Sequence, residues 1–316
     1  MRFINNKRKC YNFCVNKFSV VVPCYNEEGI TSLFYKEAIP YIKKISKSYE
    51  LIFINDGSKD NTLNELLELK KNNKNIKIID FSRNFGKEAA MLAGLKEAEG
   101  DLVAVMDVDL QDPPSLLKEM YDAVNSGEYD CVATRRVTRK GEPPIRSFFA
   151  KCFYKLINSM IEVEIVDGAR DFRMMSRQMV DSIISLPEHN RFSKGLFAWV
   201  GFNTKYIEFE NKERVAGETK WSFWGLFKYA IEGIVSFTTA PLTFAITFGV
   251  LSFIAGIVLI VLNAISLLNI SNFVLLIVIL FLSSVQLLSL GIIGEYLAKT
   301  YIEIKNRPNY IIKKKY

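Results

Sequence analysis

Four oxygen-bearing side chains, Asp107, Asp109, Gln111 and Asp112, fall within six residues directly after the apolar run Val103 to Met106. An acidic cluster at the end of a buried strand can hold a hard divalent cation, magnesium or manganese, against the phosphates of a substrate. Read as extended chain, the stretch turns Asp107 and Asp109 toward one face. Pro113 and Pro114 allow a helix to start just behind the turn, with Asp112 placed to cap it. A bare D-x-D also occurs as a solvated turn with a helix cap. Here the strand before it, the glutamine and the proline pair favour a metal-diphosphate clamp built from Asp107, Asp109 and Gln111.

The elements that position this turn repeat along the chain. Phe18 to Val22, Leu51 to Ile54 and Ile76 to Ile79 read as buried strands, and Cys131 to Thr134 as a further one beyond the strand at Val103. Between them lie helical stretches at Ile30 to Ile45, Thr62 to Leu69 and Ala89 to Ala98. Such alternation predicts a mostly parallel sheet with helices on both faces and right-handed crossovers. The turns after the strands then share one edge, which gathers Tyr25, Asn26, Glu27, Asp56, Ser58, Arg83, Asn84, Lys87, Asp107 and Asp109 as a polar rim suited to a nucleotide.

The bulk numbers add a membrane part. The chain has 316 residues, is 49% hydrophobic and carries a net charge of +7. No zinc spacing, RNP-like motif or basic recognition helix accompanies that charge, so an anionic lipid surface and phosphate-bearing substrates account for it better than nucleic acid does. Five cysteines without a C-x-x-C pair give neither a disulfide framework nor a zinc site. Residues 1–17 are basic but lack the apolar core of a signal peptide, and read as an arm for the membrane surface.

From Gly233 to Gly294 no residue is charged, a run of 62 that accommodates two spans of roughly 20 residues, at Leu242 to Leu262 and Phe273 to Ile293. Lysines and arginines flank the pair on both outer sides and are absent from the turn between them, which places both ends in the cytoplasm. Trp221, Phe223, Trp224, Phe227 and Tyr229, mixed with Lys228 and Glu232, predict an interfacial helix leading into the bilayer. Just before it, Arg214 and Lys220 stand around Gly217, a spacing that lets a loop fold over a diphosphate; a mobile basic loop above anionic lipid is the compatible plain reading. Arg135, Arg136, Arg139, Lys140 and Arg146 form a second basic run, either a solvated loop or a meeting point for an anionic partner.

Seven segments in order resemble the family-2 glycosyltransferases, and more narrowly their polyprenyl-phosphate branch of dolichol-phosphate mannose synthases and bactoprenol glucosyltransferases. They are SVVVPCYNEE (Ser19 to Glu28), INDGSKDNT (Ile54 to Thr62), DFSRNFGKEAAMLAGL (Asp80 to Leu95), MDVDLQDPP (Met106 to Pro114), DFRMMSR (Asp171 to Arg177), RFSKGLFAWVGF (Arg191 to Phe202) and RVAGETKWS (Arg214 to Ser222). The resemblance implies a GT-A fold, a nucleotide-diphosphate sugar, a divalent metal and inverting transfer to a polyprenyl phosphate. It implies that Pro23, Tyr25, Glu27, Ile54 and Asp56 hold base and ribose, and that Asp107, Val108, Asp109 and Gln111 hold metal and diphosphate. Asn55 stands where the family usually has a first carboxylate, so the base-binding role rests on Asp56. Arg135 and then Arg146 become the contacts for the acceptor phosphate, and Asp171 the carboxylate at the reaction centre, although the residues alone favour Asp171 as a helix cap. His189 is given no chemistry.

The expectation is an α/β chain: a GT-A domain over 18–220, an interfacial amphipathic helix over 221–240, a two-helix transmembrane hairpin over 241–297 and a basic cytoplasmic tail over 298–316. Its expected activity is sugar transfer, glucose or N-acetylglucosamine from a UDP carrier foremost, to undecaprenyl phosphate at the cytoplasmic face of the cell membrane for envelope glycans. Partners are the nucleotide sugar, the lipid phosphate and the membrane, with a homo-oligomer left open and no nucleic acid. The rivals are a processive polysaccharide synthase, whose Gln-x-x-Arg-Trp signature is missing here, and a non-catalytic scaffold, in which the acidic clamp would be free to decay.

Overall fold

The computed structural model describes residues 16–137, 154–155, 157–160, 163–209, 234–235, 238–264 and 272–316. Arg146, Arg214, Gly217 and Lys220, residues 1–15 of the basic arm and, of the interfacial stretch 221–240, residues 221–233 and 236–237 lie outside the described residues.

Two units form. The first holds residues 1–222 together with 308–316, and the second residues 223–307. In the first, β1 (Phe18–Cys24), β2 (Tyr49–Asn55), β3 (Ile76–Phe81) and β4 (Leu102–Val105) alternate with α1 (Ile30–Ile45), α2 (Thr62–Asn72) and α3 (Lys87–Glu97). Then come α4 (Leu117–Asn125), β5 (Cys131–Arg136), β6 (Ala169–Ser176), α5 (Arg177–Ser185), α6 (Ser193–Trp199) and β7 (Thr204–Phe209), and finally β8 (Ile312–Lys315). The eight strands make one sheet in the order β7-β5-β6-β4-β1-β2-β3-β8.

β1 pairs in parallel with both β2 and β4. The chain steps outward from β1 through β2 to β3, then returns to the opposite side of β1 with β4. That reversal is a topological switch point, and in open α/β sheets the crevice beyond the strand ends at such a point is where ligands bind. Every side chain of β2 is buried, as is the whole of β4, so these strands are sandwiched between helical layers. On one face α3 lies flat against the sheet: a Cβ at Gly94 would come within 2.2 Å of Val21 Cγ1. On the other face α1 packs, with Phe34 meeting Phe53 edge-on at 6.2 Å.

The expected alternation holds through β5 and then changes. β6 is antiparallel to β4 and to β5, and β8 is antiparallel to β3. The sequence hid these strands because Arg170, Asp171 and Arg173 break the apolar run of β6, while β8 is Ile-Lys-Lys-Lys, a lysine-rich edge. The basic tail therefore ends as a strand of the sheet. Asp112 does not cap a helix: the 3-10 turn Pro114–Leu116 has Pro113 at its N-cap without a side-chain bond, and Asp112 is buried in an ion pair. Asp171 is no cap either, since it lies inside β6 and Ser176 caps α5.

The second unit holds α7 (Ala240–Ala264) and α8 (Asn272–Ile304), and Tyr296 Oη of α8 donates to Thr238 O, two residues before α7, at 2.6 Å. Both hold stretches long and apolar enough to cross a membrane, Ala240–Leu259 and Phe281–Ile304 among the described residues. Phe253, Leu287 and Leu288 on these helices are about 70% exposed, an apolar surface that water does not favour.

Candidate active site

β4 delivers Val103 and Val105 to the α3 face of the sheet, and Asp107 continues that alternation past the strand end. Val108 to Leu110 then turn, with Leu110 at φ 56, a left-handed conformation that a leucine adopts only under constraint. Asp109 Oδ1 accepts from Gln111 N at 3.2 Å inside this turn. A turn, and not the extended chain the sequence implied, therefore carries Asp109.

Lys87, the first residue of α3, closes the centre. Its Nζ lies 2.7 Å from Asp107 Oδ1 and 2.5 Å from Asp171 Oδ2. A cation at a helix N-terminus opposes the helix dipole, and two carboxylates reverse the balance. Burial works against the Lys87 cation, but Asp107 and Asp171 raise its pKa well above the usual lysine range. Burial likewise works against the Asp171 anion, while Lys87, Lys194 and Arg173 hold its carboxyl far below the usual carboxylate range. Asp171 is thus a fixed negative charge at neutral pH.

The residue beside it on β6 faces the other way and grips the far half of the acidic motif. Arg170 Nε donates to Asp112 Oδ1 and Oδ2 at 3.1 and 3.2 Å, and its Nη2 to Gln111 Oε1 at 3.1 Å. Burial disfavours the Arg170 cation, and Asp112, Asp107 and Asp109 more than offset it. Two consecutive residues of one strand, Arg170 and Asp171, therefore fix both ends of the Asp107 to Asp112 turn.

Asp56, expected at the base, lies 3% exposed at the end of β2, where its Oδ1 and Oδ2 accept from the backbone N–H groups of Phe85 and Gly86 at 2.6 and 2.9 Å. Burial raises its pKa, against the pull of those two amides and Arg83. It holds the loop that leads into Lys87. Gly57 makes this approach possible: at φ +65, it would place a Cβ 2.3 Å from the backbone carbon of Arg83. Pro23, next to the last residue of β1, and Tyr25 and Glu27 just after the strand are half-buried, and the loop they lead into is laced to the Gly57 turn through Asn26 N to Ser58 Oγ at 3.0 Å and Glu27 N to Thr62 Oγ1 at 2.9 Å. Ile54 is fully buried among the core residues on the α3 face, and Val108 is 4% exposed in the core on the other face, so any contact these two make with a nucleotide runs through backbone.

Arg135 lies next to the last residue of β5, with Nε donating to Asp167 O at 3.1 Å and Nη1 3.5 Å from Glu208 Oε1. The structure does not pair it with Asp171, whose partner is Lys87. Two residues of this cluster had no role in the sequence reading: Arg170, and Lys87 beyond its place on the rim. The available signals were the Arg-Asp pair in ARDFRMMS and a lysine directly after a glycine turn at a helix start.

Among the described residues no group of three or more His, Cys, Asp and Glu is arranged to hold a metal. Two carboxylates with the Gln111 amide oxygen nevertheless suit a hard divalent ion whose remaining ligands come from substrate phosphates. The Lys87 ammonium against Asp107 shows that the position accommodates positive charge.

The profile of the family described as "Glycosyl transferase family 2" matches residues 19–184, more than half of the chain. The chain belongs to this family. This family-2 glycosyltransferase is 45% identical over 302 residues, 93% of its length and 91% of the relative's, to CsbB of Bacillus subtilis (strain 168), which carries a glycosyltransferase name. It is 41% identical over 303 residues, 94% of its length and 98% of the relative's, to the bactoprenol glucosyl transferase of Shigella phage SfII. Among solved structures the glycosyltransferase is similar to glucosyl-3-phosphoglycerate synthase of Mycobacterium tuberculosis, with a TM-score of 0.47, 19% identity, and coverage of 69% of this chain and 78% of that one. Its mostly parallel α/β unit is GT-A-like, followed by two apolar helices.

Proposed function

We propose that this glycosyltransferase moves a sugar from a nucleotide-diphosphate carrier to polyprenyl phosphate, with inversion, at the cytoplasmic face of a membrane. The observation that carries the reading is the 41% identity to a bactoprenol glucosyl transferase over 94% of the chain, a span long enough to take in the apolar helices as well as the catalytic unit. UDP-glucose and UDP-N-acetylglucosamine are the favoured donors. α7 and α8 anchor the chain, and the lysines and arginines outside the pair keep both ends cytoplasmic.

In this reading an oxygen of the acceptor phosphate attacks the anomeric carbon as the bond to the donor diphosphate breaks, and the nucleoside diphosphate leaves with the bonding electrons. A phosphate monoester is mostly dianionic near neutral pH, since its second pKa is about 6. No side chain needs to remove a proton. Asp171, held ionised beside Lys87, faces the positive charge that develops on the sugar ring, and Lys87 keeps Asp171 and Asp107 in register. Asp107, Asp109 and Gln111 would hold the divalent ion, magnesium or manganese, which when bound neutralises the leaving diphosphate. Arg170 keeps the turn that carries them closed from behind. Arg214 and Lys220 would cover the diphosphate, and Arg135 and Arg146 would meet the acceptor phosphate.

The test uses the full chain in lipid nanodiscs containing undecaprenyl phosphate, with a panel of radiolabelled nucleotide sugars. One donor should yield a labelled lipid, and both EDTA and Asp109→Asn should abolish it. Absence of a lipid product with every donor, or full activity in EDTA, would overturn the acceptor or the metal assignment respectively.

A further inference from the structure

The last residues of the chain run along the free edge of the sheet. Ile79 pairs with Lys315 and Asp80 with Lys314, Tyr316 N donates to Ile78 O at 2.9 Å, and Ser82 N to Ile311 O at 3.0 Å. Lys315 Nζ lies 2.5 Å from Glu97 of α3. A lysine-rich strand in this place would by itself only blunt an exposed edge. Tyr310 does more: its ring stacks on Phe81 at 5.0 Å and 10°, and Phe81 in turn meets Phe85 edge-on at 5.7 Å and 89°. Phe85 and Gly86 donate their backbone N–H groups to Asp56, and Lys87 follows directly. From tail to centre the links are continuous: Tyr310 on Phe81, Phe81 on Phe85, Phe85 and Gly86 on Asp56, and Lys87 as the next residue of the chain.

We infer that Tyr310 is a positioning residue, and that the C-terminal strand holds the Ser82 to Gly86 turn against Asp56 so that Lys87 stands between Asp107 and Asp171. The inference rests on the reading of that trio as the reaction centre. The turn has few other supports. Ser82, Arg83 and Asn84 are exposed, Gly86 sits at φ 95, and Phe85 is half-buried at the margin of the core, with the Arg83 guanidinium 4.1 Å from its ring centroid on the outside. A displacement of roughly 1 Å in a group that orients a reacting centre can cost on the order of 100-fold in rate. The Tyr310 hydroxyl is not needed, because the contact is ring on ring.

The experiment compares the full chain, Tyr310→Ala and Tyr310→Phe in nanodiscs, by amide hydrogen exchange and by kinetics. Tyr310→Ala should speed exchange in the peptide bearing Phe85 to Lys87 while peptides of β1 and β4 keep wild-type protection. It should also lower kcat several-fold, on the order of tenfold at most for one aromatic pair, with KM for the donor unchanged. Tyr310→Phe should restore both. Wild-type protection at Phe85 and Gly86 in Tyr310→Ala, or equal losses in Tyr310→Phe, would overturn the inference. The exchange readout needs no acceptor, so it decides the matter even if the wild-type chain transfers no sugar to a polyprenyl phosphate.

Discussion

The Lys87 ammonium lies 2.5 Å from Asp171 Oδ2, joining a residue at the start of α3 to one in the middle of a strand on the far side of β4. Because Lys87 also touches Asp107, it is the common counter-ion of both carboxylates. Lys87→Met removes it and leaves two anions facing each other. Turnover should fall about 100- to 1000-fold, the scale for losing one fixed electrostatic group at a reaction centre. Nucleotide binding measured by calorimetry should survive. Wild-type kcat in Lys87→Met would remove the trio from the mechanism.

Arg170 and Asp112 form a pair in which the carboxylate is nearly buried, with 2% of its side chain exposed. Arg170→Ala strands that charge and should cost about 3 kcal/mol or more, as for other broken buried pairs. The thermal midpoint of the detergent-solubilised protein reads this out. Adding Asp112→Asn should recover much of the loss, because it removes the stranded charge, and a double variant no better than Arg170→Ala would contradict the account.

Glu88 gives a pH dependence of stability. Its carboxylate accepts from Ser193 N at 3.1 Å and from Ser193 Oγ, and burial, with Asp171 nearby, pushes its pKa up to about 7 against those bonds. A carboxyl whose pKa is raised on folding is protonated more in the folded than in the unfolded state. Its contribution is therefore favourable at low pH and is lost as pH rises from the unfolded value, 4.5, toward 7. Thermal midpoints should fall between pH 5 and 7 in the wild type by more than in Glu88→Gln. Parallel curves would show that Glu88 is not the group responsible.

Gly57→Ala tests the approach of two loops. The added methyl meets the Arg83 backbone at 2.3 Å in a left-handed conformation, so the Ser82 to Gly86 turn must move away from Asp56. The expected result is loss of nucleotide binding and of transfer, with the far-UV spectrum retained. Unchanged affinity would show that the turn has room to shift.

Much of this architecture was legible in the residues. The apolar runs at Val20, Ile52, Ile78 and Val103 are buried from both faces, and such strands announce themselves without context. β6 did not, because its charged residues are paired across the fold: Asp171 and Arg170 each face a partner that is distant in sequence, 84 positions away at Lys87 and 58 at Asp112. Periodicity carries no information about such pairs. For the same reason Asp112 read as a helix cap when its partner lay on a strand that was not foreseen, and Asp56 read only as a base contact when its carboxylate holds two amides of another loop. β8 was hidden by composition, since three lysines in a row describe a solvated tail unless an open sheet edge awaits them.

The central claim is that the acceptor phosphate is the nucleophile in its own right and that Asp171 serves as a fixed charge. Lys87 holds Asp171 ionised far below neutral pH, so this carboxylate does not titrate where the enzyme works. The decisive measurement is the pH dependence of kcat for transfer to undecaprenyl phosphate, with Asp171 intact and as Asp171→Asn, in a Glu88→Gln background that removes the carboxyl titrating near 7. The account predicts a lower plateau for Asp171→Asn and the same acid limb in both, falling below about pH 6 with protonation of the lipid phosphate. An acid limb present with Asp171 and absent from Asp171→Asn would make Asp171 the titrating base and contradict the mechanism.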